Sequence, residues 1–286
     1  MSTKLGSLFT QLGRKYSQNA SKVLVHKQLS GKRNGISLIG FNRPQQKNAL
    51  SAELVDSFIN VLDQIAYESS ARVLIIHSLV PKIFCAGADL KERLEMSQED
   101  VHNFVKKLRG LSHKIFNLPI PVIAALDGVA LGGGLELALS CDIRVAAENV
   151  KLGLVETKLA IIPGAGGTQL LPRLINPSIA KELIFTAAIL NGKEAEKLGL
   201  VNYVMEQNEN CDAAYSKSLN IAEKILPNGP VAVRMAKQAI NKGLEVDLGT
   251  GLTFEEVCYS KVIPTKDRIE GLRAFNEKRT PVYNGS

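Results

Sequence analysis

Two glutamates and a run of glycines between Pro121 and Thr168 supply the residue types that acid–base chemistry on a polarised carbonyl needs. Glu136 stands among Leu135, Leu137, Ala138 and Leu139, where a carboxylate is costly to bury unless it is hydrogen-bonded, neutralised or used. Glu156 comes later, beside Leu154 and Val155, again in apolar company. Ahead of both, Gly132-Gly133-Gly134 lies where an apolar strand, Val122 to Leu126, and an Asp127-Gly128 turn give way to a helix running through Ser140. A helix start has unpaired N–H groups and the positive end of the macrodipole, and glycines remove the side chains that would keep a ligand away. Such a site can hold a developing oxyanion while two carboxylates deliver a proton and activate water. Each feature alone has a plainer reading, since glycine-rich turns occur for packing and a single helical Glu can face solvent.

Four patterns taken together narrow the choice: FCAGADL at 84–90, ALGGGLELAL at 130–139, GLVET at 153–157 and IPGAGGTQ at 162–169. In order and spacing, over Val23 to Tyr283, they resemble the crotonase (enoyl-CoA hydratase/isomerase) superfamily. The resemblance implies an α/β fold, a spiral of repeated ββα units with a C-terminal all-helical trimerisation segment. It also implies homotrimers that pair into hexamers, an acyl-CoA thioester substrate, and neither a metal nor a redox cofactor, CoA being part of the substrate. On matching positions the backbone N–H groups of Ala88 and Gly133 form the oxyanion hole, Glu136 activates water at the β-carbon and Glu156 gives a proton to the α-carbon. Retention of both glutamates favours a hydratase, because family members that only move a double bond commonly keep one acid here. CoA is placed along Ala88, Asp89, Leu90 and Lys91, largely through backbone, and against Gly133, with Lys47 a further candidate. Phe275 and Lys278 match positions that reach a neighbouring subunit's CoA. Solvated surface charge is the plainer reading for the lysines.

Within the family, the stretches GLVETKLAIIPGAGGTQ, AKELIF, EVDLGTGL and IPTKDRIEGLRAFNEKR look most like the methylglutaconyl-CoA hydratase branch of leucine breakdown. The neighbouring alternative is a mitochondrial short-chain enoyl-CoA hydratase of fatty-acid oxidation. A substrate with a distal carboxylate calls for a cation deep in the pocket, and the sequence singles out no Lys or Arg for that task.

Hydrophobic patterning gives the elements that must position these residues. At 286 residues and 45% hydrophobic content the chain can bury a substantial core. Strands are predicted at 23–29, 35–41, 73–77, 83–86, 122–126 and 143–146. Ser51 caps a helix with the stripe Leu54, Phe58, Leu62 and Ile65, and Ser97 caps a longer one ending before Leu118-Pro119. Past Pro177 the pattern is helical apart from Val201 to Val204. The apolar positions Leu248, Leu252, Phe254, Val257, Tyr259 and Ile263 there point to an interface. The organisation expected is a mitochondrial transit peptide over 1–20, a ββα core with the active site over 21–226, and a helical oligomerisation segment over 227–286.

Charge supports that division. Residues 1–52 hold nine Lys or Arg and no acid, leaving 26 basic against 28 acidic residues beyond, so the net +7 is an amino-terminal matter. Leu5, Leu8, Phe9 and Leu12 at helical spacing, with Ser2, Ser7 and Ser17, read as a leader to the mitochondrial matrix, and Arg14-Lys15-Tyr16-Ser17 resembles its processing site. A disordered basic tail is the alternative. No apolar run reaches membrane-spanning length. RNA binding is the reading from another class, but Ala49 to Ser70 has no Lys or Arg and four acids, so nucleic acid is not the expected partner. Four scattered cysteines make no disulfide framework, and Cys85 is not favoured as a nucleophile. His26, His77, His102 and His113 lack metal-ligand spacing, and surface positions are expected for all four.

Overall fold

A computed structural model describes residues 23–286, so the predicted leader over 1–20 falls outside the described residues. Strands β1 (Leu24–Gln28) and β2 (Ile36–Phe41) pair antiparallel across the polar link at Gly31–Arg33. Beyond β2 the named strands described pair only in parallel, and a single antiparallel bridge joins Leu152 to Leu190. Strands β3 (Val73–Ser78), β5 (Val122–Leu126), β7 (Ile143–Ala147) and β9 (Tyr203–Met205) extend one six-stranded sheet in the order β1-β2-β3-β5-β7-β9. Strands β4 (Ile83–Cys85), β6 (Val129–Leu131) and β8 (Leu152–Gly153) make a second, smaller parallel sheet. The chain therefore alternates a strand in the large sheet, a strand in the small one and then a helix, which is the expected ββα spiral. Strands β6 and β8 escape prediction because two or three residues are too few to show a period.

Burial on both faces explains why β3 and β5 are continuous apolar runs rather than alternating ones. One face, with Leu74, Ile76 and Ala124, packs under helices α1 (Ala52–Tyr67) and α3 (Gln98–Phe116). The other, with Ile36, Leu38, Ile75 and Ile123, packs on Ala214, Leu219 and Ala222 of α8 (Ala213–Ile225). The predicted caps form: Ser51 Oγ accepts from Leu54 N, and Ser97 and Asp100 close a capping box on α3. Between these helices a short α2 (Leu90–Glu95), which the sequence reading missed, is capped by the Asp89 carboxylate. The acids of α1 face lysines of α3, with Asp56 held by Lys107 and Asp63 by Lys114.

His77 departs from expectation. Strand alternation turns it to the α8 face, where it is buried and stacks on Tyr215 with ring centroids 4.7 Å apart. Burial pushes its pKa down to about 4, so it is a neutral core residue and not a surface one.

The remaining helices are α4 (Gly133–Leu139), α5 (Gly167–Leu174), α6 (Pro177–Thr186), α7 (Gly192–Lys197), α9 (Pro230–Gly243), α10 (Leu248–Val262) and α11 (Lys266–Asn276). Helix α9 docks on the body through polar groups: Arg234 donates to the Ala71 carbonyl, Asn241 to that of Phe116, and Lys237 to both Ile120 O and the Asp142 carboxylate, 2.7 Å away. Helices α10 and α11 leave Leu248, Leu252, Val257, Tyr259 and Leu272 exposed. Among the described residues no helix is long and apolar enough to cross a membrane.

Candidate active site

The site is assembled from the turns that leave the strands of the small sheet. After β4, Gly87 turns the chain with φ of 97°, in the left-handed region that glycine favours. The next residues pair with the approach to α1, since Leu50 N donates to Gly87 O at 2.8 Å and Asp89 N donates to Leu50 O at 3.1 Å. The intervening Ala88 N–H faces the other way and has no acceptor among the described residues. After β6, Gly132 takes φ of 51° and caps α4, leaving Gly133 N–H as the first unpaired donor of that helix. A Cβ placed on Gly133 would lie 3.9 Å from Ala88 N, so the two predicted donors are neighbours. Helix α4 comes this close to β4 because Gly134 has no side chain, and any Cβ there would overlap the Cys85 carbonyl.

The loop before α1 braces this arrangement with residues the sequence reading did not assign. Buried Asn48, at φ of 55°, accepts from Arg43 N and donates to Ser78 Oγ at 2.8 Å and Phe84 O at 2.9 Å. The Arg43 guanidinium donates to Ala49 O and meets the Asp89 carboxylate at 3.4 Å. The Asn just ahead of the apolar Ala49-Leu50 was the available clue, because Asn tolerates left-handed backbone better than most residues.

Glu136 sits on the first turn of α4 and is 2% exposed. Its Oε1 accepts two backbone hydrogen bonds, from Ala165 N at 2.8 Å and Gly167 N at 2.7 Å. The glycine-rich stretch at 164–168 is thus the cradle of this carboxylate. The second oxygen, Oε2, is turned toward Gly133, 3.9 Å from where a Cβ on that residue would stand. Burial pushes the Glu136 pKa up to about 7; the nearby Glu156 charge adds to this, while the two amides and the Arg109 charge oppose it.

Glu156 opens the short 3-10 turn at Glu156–Leu159, just beyond β8. It too is buried, and neither carboxylate oxygen has a hydrogen-bond partner among the described residues. Burial raises its pKa as well. A Cβ on Gly132 would lie 3.3 Å from Glu156 Oε1, so the two acids flank Gly132 and Gly133 together with the free N–H groups. A carbonyl oxygen at those donors would have both carboxylates beside it.

The other predicted contacts are more peripheral. Lys47 is exposed in left-handed backbone, its carbonyl taken by Ala86 N. Leu90 and Lys91 are exposed at the start of α2, whereas the Asp89 carboxylate is engaged by its cap and by Arg43, and its backbone N–H and carbonyl are taken by Leu50 O and Arg93 N. Phe275 is 83% exposed on α11 and Lys278 lies just past that helix at φ of 53°. Within the described chain no hydrogen bond or ion pair ties either of them to the Ala88 region. Cys85 is buried with its thiol pushed up to about 12, which makes it inert. Among the described residues no three His, Cys, Asp or Glu side chains gather so as to hold a metal ion.

The raised pKa of Glu136 has a consequence for stability. An unfolded glutamate loses its proton near 4.5 and the folded one only near 7, so between those values the folded state holds the extra proton and stability falls as pH rises, levelling off above. Glu136→Gln keeps the acceptor for Ala165 and Gly167 but carries no titrating proton. The variant should therefore gain about 1–3 kcal/mol relative to the parent between pH 5 and 8. Chemical denaturation across that range checks this; parallel curves for the two proteins would contradict it.

Comparison with known proteins places the chain in a family. The family model described as enoyl-CoA hydratase/isomerase matches residues 31–286. Human mitochondrial methylglutaconyl-CoA hydratase is 58% identical over 259 residues, covering 91% of this chain and 76% of that protein. Human mitochondrial enoyl-CoA hydratase domain-containing protein 2 is 52% identical over 257 residues, covering 90% of this chain and 88% of the other. Among solved structures, an enoyl-CoA hydratase from Bacillus anthracis superposes with a TM-score of 0.88 at 49% identity, covering 93% of this chain and 100% of that one. By fold and sequence, the chain belongs to the enoyl-CoA hydratase/isomerase family.

Proposed function

We propose that this chain adds water across the α,β double bond of 3-methylglutaconyl-CoA. The observation that carries the reading is the pair of buried carboxylates, Glu136 and Glu156, set about the unpaired N–H groups of Ala88 and Gly133. The human, mouse and rat methylglutaconyl-CoA hydratases, at 57–58% identity, support the choice of substrate within the family. The mitochondrial names of these relatives, with the acid-free basic segment at 1–20, support a matrix location.

In this mechanism the thioester oxygen accepts from Ala88 N–H and Gly133 N–H, which favour the negative charge that builds there as water adds. Ionised Glu136 takes a proton from water as the water oxygen bonds to the β-carbon. The electron pair of the double bond moves toward the carbonyl, and protonated Glu156 then delivers its proton to the α-carbon. The environments suit these roles: two amides from a distant loop hold one oxygen of Glu136, whereas among the described residues no other residue donates a hydrogen bond to the buried Glu156 carboxylate. The charge of Glu156 acts on Glu136, so the titration belongs to both groups together. CoA lies along the backbone of Ala88 to Lys91 and against Gly133, with Lys47 at its polar end.

Purified protein should show kcat/KM for 3-methylglutaconyl-CoA at least about tenfold above that for crotonyl-CoA. Glu136→Gln and Glu156→Gln should each lower kcat by about 10²–10⁴-fold, and the double variant should lose far less than the product of the two. The rate should fall below pH about 7 as Glu136 takes up its proton, and this limb should vanish in Glu136→Gln. Near-normal hydration by Glu156→Gln would contradict its role as the acid and assign the α-proton to another group.

The apolar residues left exposed on α10 and α11 support a trimer, or a hexamer of paired trimers, in which Phe275 and Lys278 approach a neighbouring subunit's CoA. Light scattering at micromolar concentration should give a trimer or hexamer mass, and a monomer would exclude this assembly.

A further inference from the structure

A 3-methylglutaconyl group carries a carboxylate one methylene beyond its β-carbon. On the substrate reading above, on which this inference rests, a third carboxylate enters a recess that already holds Glu136 and Glu156. Like charges brought together in such a place repel strongly unless a cation meets the newcomer.

Among the described residues, the loop before α1, α2 and α3 each carry a guanidinium group beside the segments that build the site, and two of these are already engaged. Arg43 is held by Asp89 and the Ala49 carbonyl, and Arg93 lies over the Phe104 ring, 5.5 Å from its centre. The third is Arg109, on the face of α3 that packs against the loop cradling Glu136. One turn earlier, Val105 Cγ1 would be 2.9 Å from a Cβ placed on Gly164. Arg109 Nε donates to the Gly164 carbonyl at 3.2 Å, which fixes the side chain at its inner nitrogen. Both outer nitrogens are left without a protein acceptor, and Arg109 makes no ion pair with Asp or Glu among the described residues. Its charge nevertheless acts on Glu136, the group assigned to the β-carbon, from which the distal carboxylate is two bonds away.

We infer that Arg109 is a specificity-determining residue, whose free guanidinium nitrogens bind the substrate's distal carboxylate beside the Gly164–Gly167 loop. Guanidinium suits the task because its planar fork matches a carboxylate with two parallel hydrogen bonds, and it stays charged at every working pH. Anchoring through Nε orders the side chain before the substrate arrives, which lowers the entropy lost on binding.

The test compares 3-methylglutaconyl-CoA with crotonyl-CoA, which has no distal carboxylate, in the full-length protein at about pH 8.5, where Glu136 is ionised in all variants. Arg109→Met should lower kcat/KM for 3-methylglutaconyl-CoA by about 10–100-fold, mostly through KM, while crotonyl-CoA changes by less than about threefold. Arg109→Lys, which keeps charge but loses the fork, should fall between. Thermal melts near the parent value confirm that both variants fold. An equal loss on both substrates would mean that Arg109 only clamps the loop, and no loss on either would make it a solvated surface charge; both results overturn the inference while leaving the proposed reaction standing. A parent protein inactive on 3-methylglutaconyl-CoA would overturn the substrate assignment and this inference with it.

Discussion

Two carboxylates placed in one recess from which water is largely excluded are the constraint that the rest of the structure accommodates. Neither Glu136 nor Glu156 can be charged there cheaply, because burial raises both, and the charge of Glu156 makes Glu136 harder still to ionise. The fold treats them unequally. Two amides of the Ala165–Gly167 loop are directed at one oxygen of Glu136, while among the described residues no other residue donates to the oxygens of Glu156. That inequality is what lets one act as base and its neighbour as acid at the same pH.

The small three-stranded sheet is the device that brings these parts together. Ala88 lies just past β4, Gly133 and Glu136 past β6, and Glu156 past β8, so three successive turns of the spiral deliver their contributions at the same ends of adjacent parallel strands. The open end of a parallel sheet is where such residues can converge from segments far apart in the chain. Close approach of helix to strand then depends on missing side chains: Gly134 against Cys85 and Gly133 against Leu50. The long apolar strands of the large sheet supply the rigid, fully buried platform, and α1, α3 and α8 close its two faces.

Much of this was legible in the sequence because the relevant signals are local. Caps at Ser51 and Ser97, the apolar stripe of α1 and the strands at 73–78 and 122–126 arise from residue type and period alone. Glu136 stands out as a charge in an apolar helix, and the resemblance carried by four motifs placed Ala88, Gly133 and Glu156 with it. The features that escaped depend on contacts between distant segments. Strands β6 and β8 exist through their register with neighbours and not through their own composition. Nothing local in Gly164 to Thr168 says that its amides point at a glutamate nearly thirty residues earlier. His77 reads as polar, yet strand alternation carries it inward onto Tyr215. Arg109 is one of many exposed basic residues until its bond to Gly164 is seen.

Holding two acids in this state opposes folding, and the large buried core is what tolerates it. The decisive question is therefore whether the pair keeps a proton at neutral pH in the folded protein without substrate. Infrared difference spectroscopy of protein carrying ¹³C-labelled glutamate side chains, titrated from acid to alkali, reads that proton through the carbonyl stretch of a buried carboxylic acid. A shared proton predicts an isotope-shifted carboxylic acid band that persists well above the ordinary glutamate range, loses intensity through about pH 7 and is altered when Glu136 is replaced by Gln. A spectrum in which every glutamate is ionised by about pH 6 would contradict it.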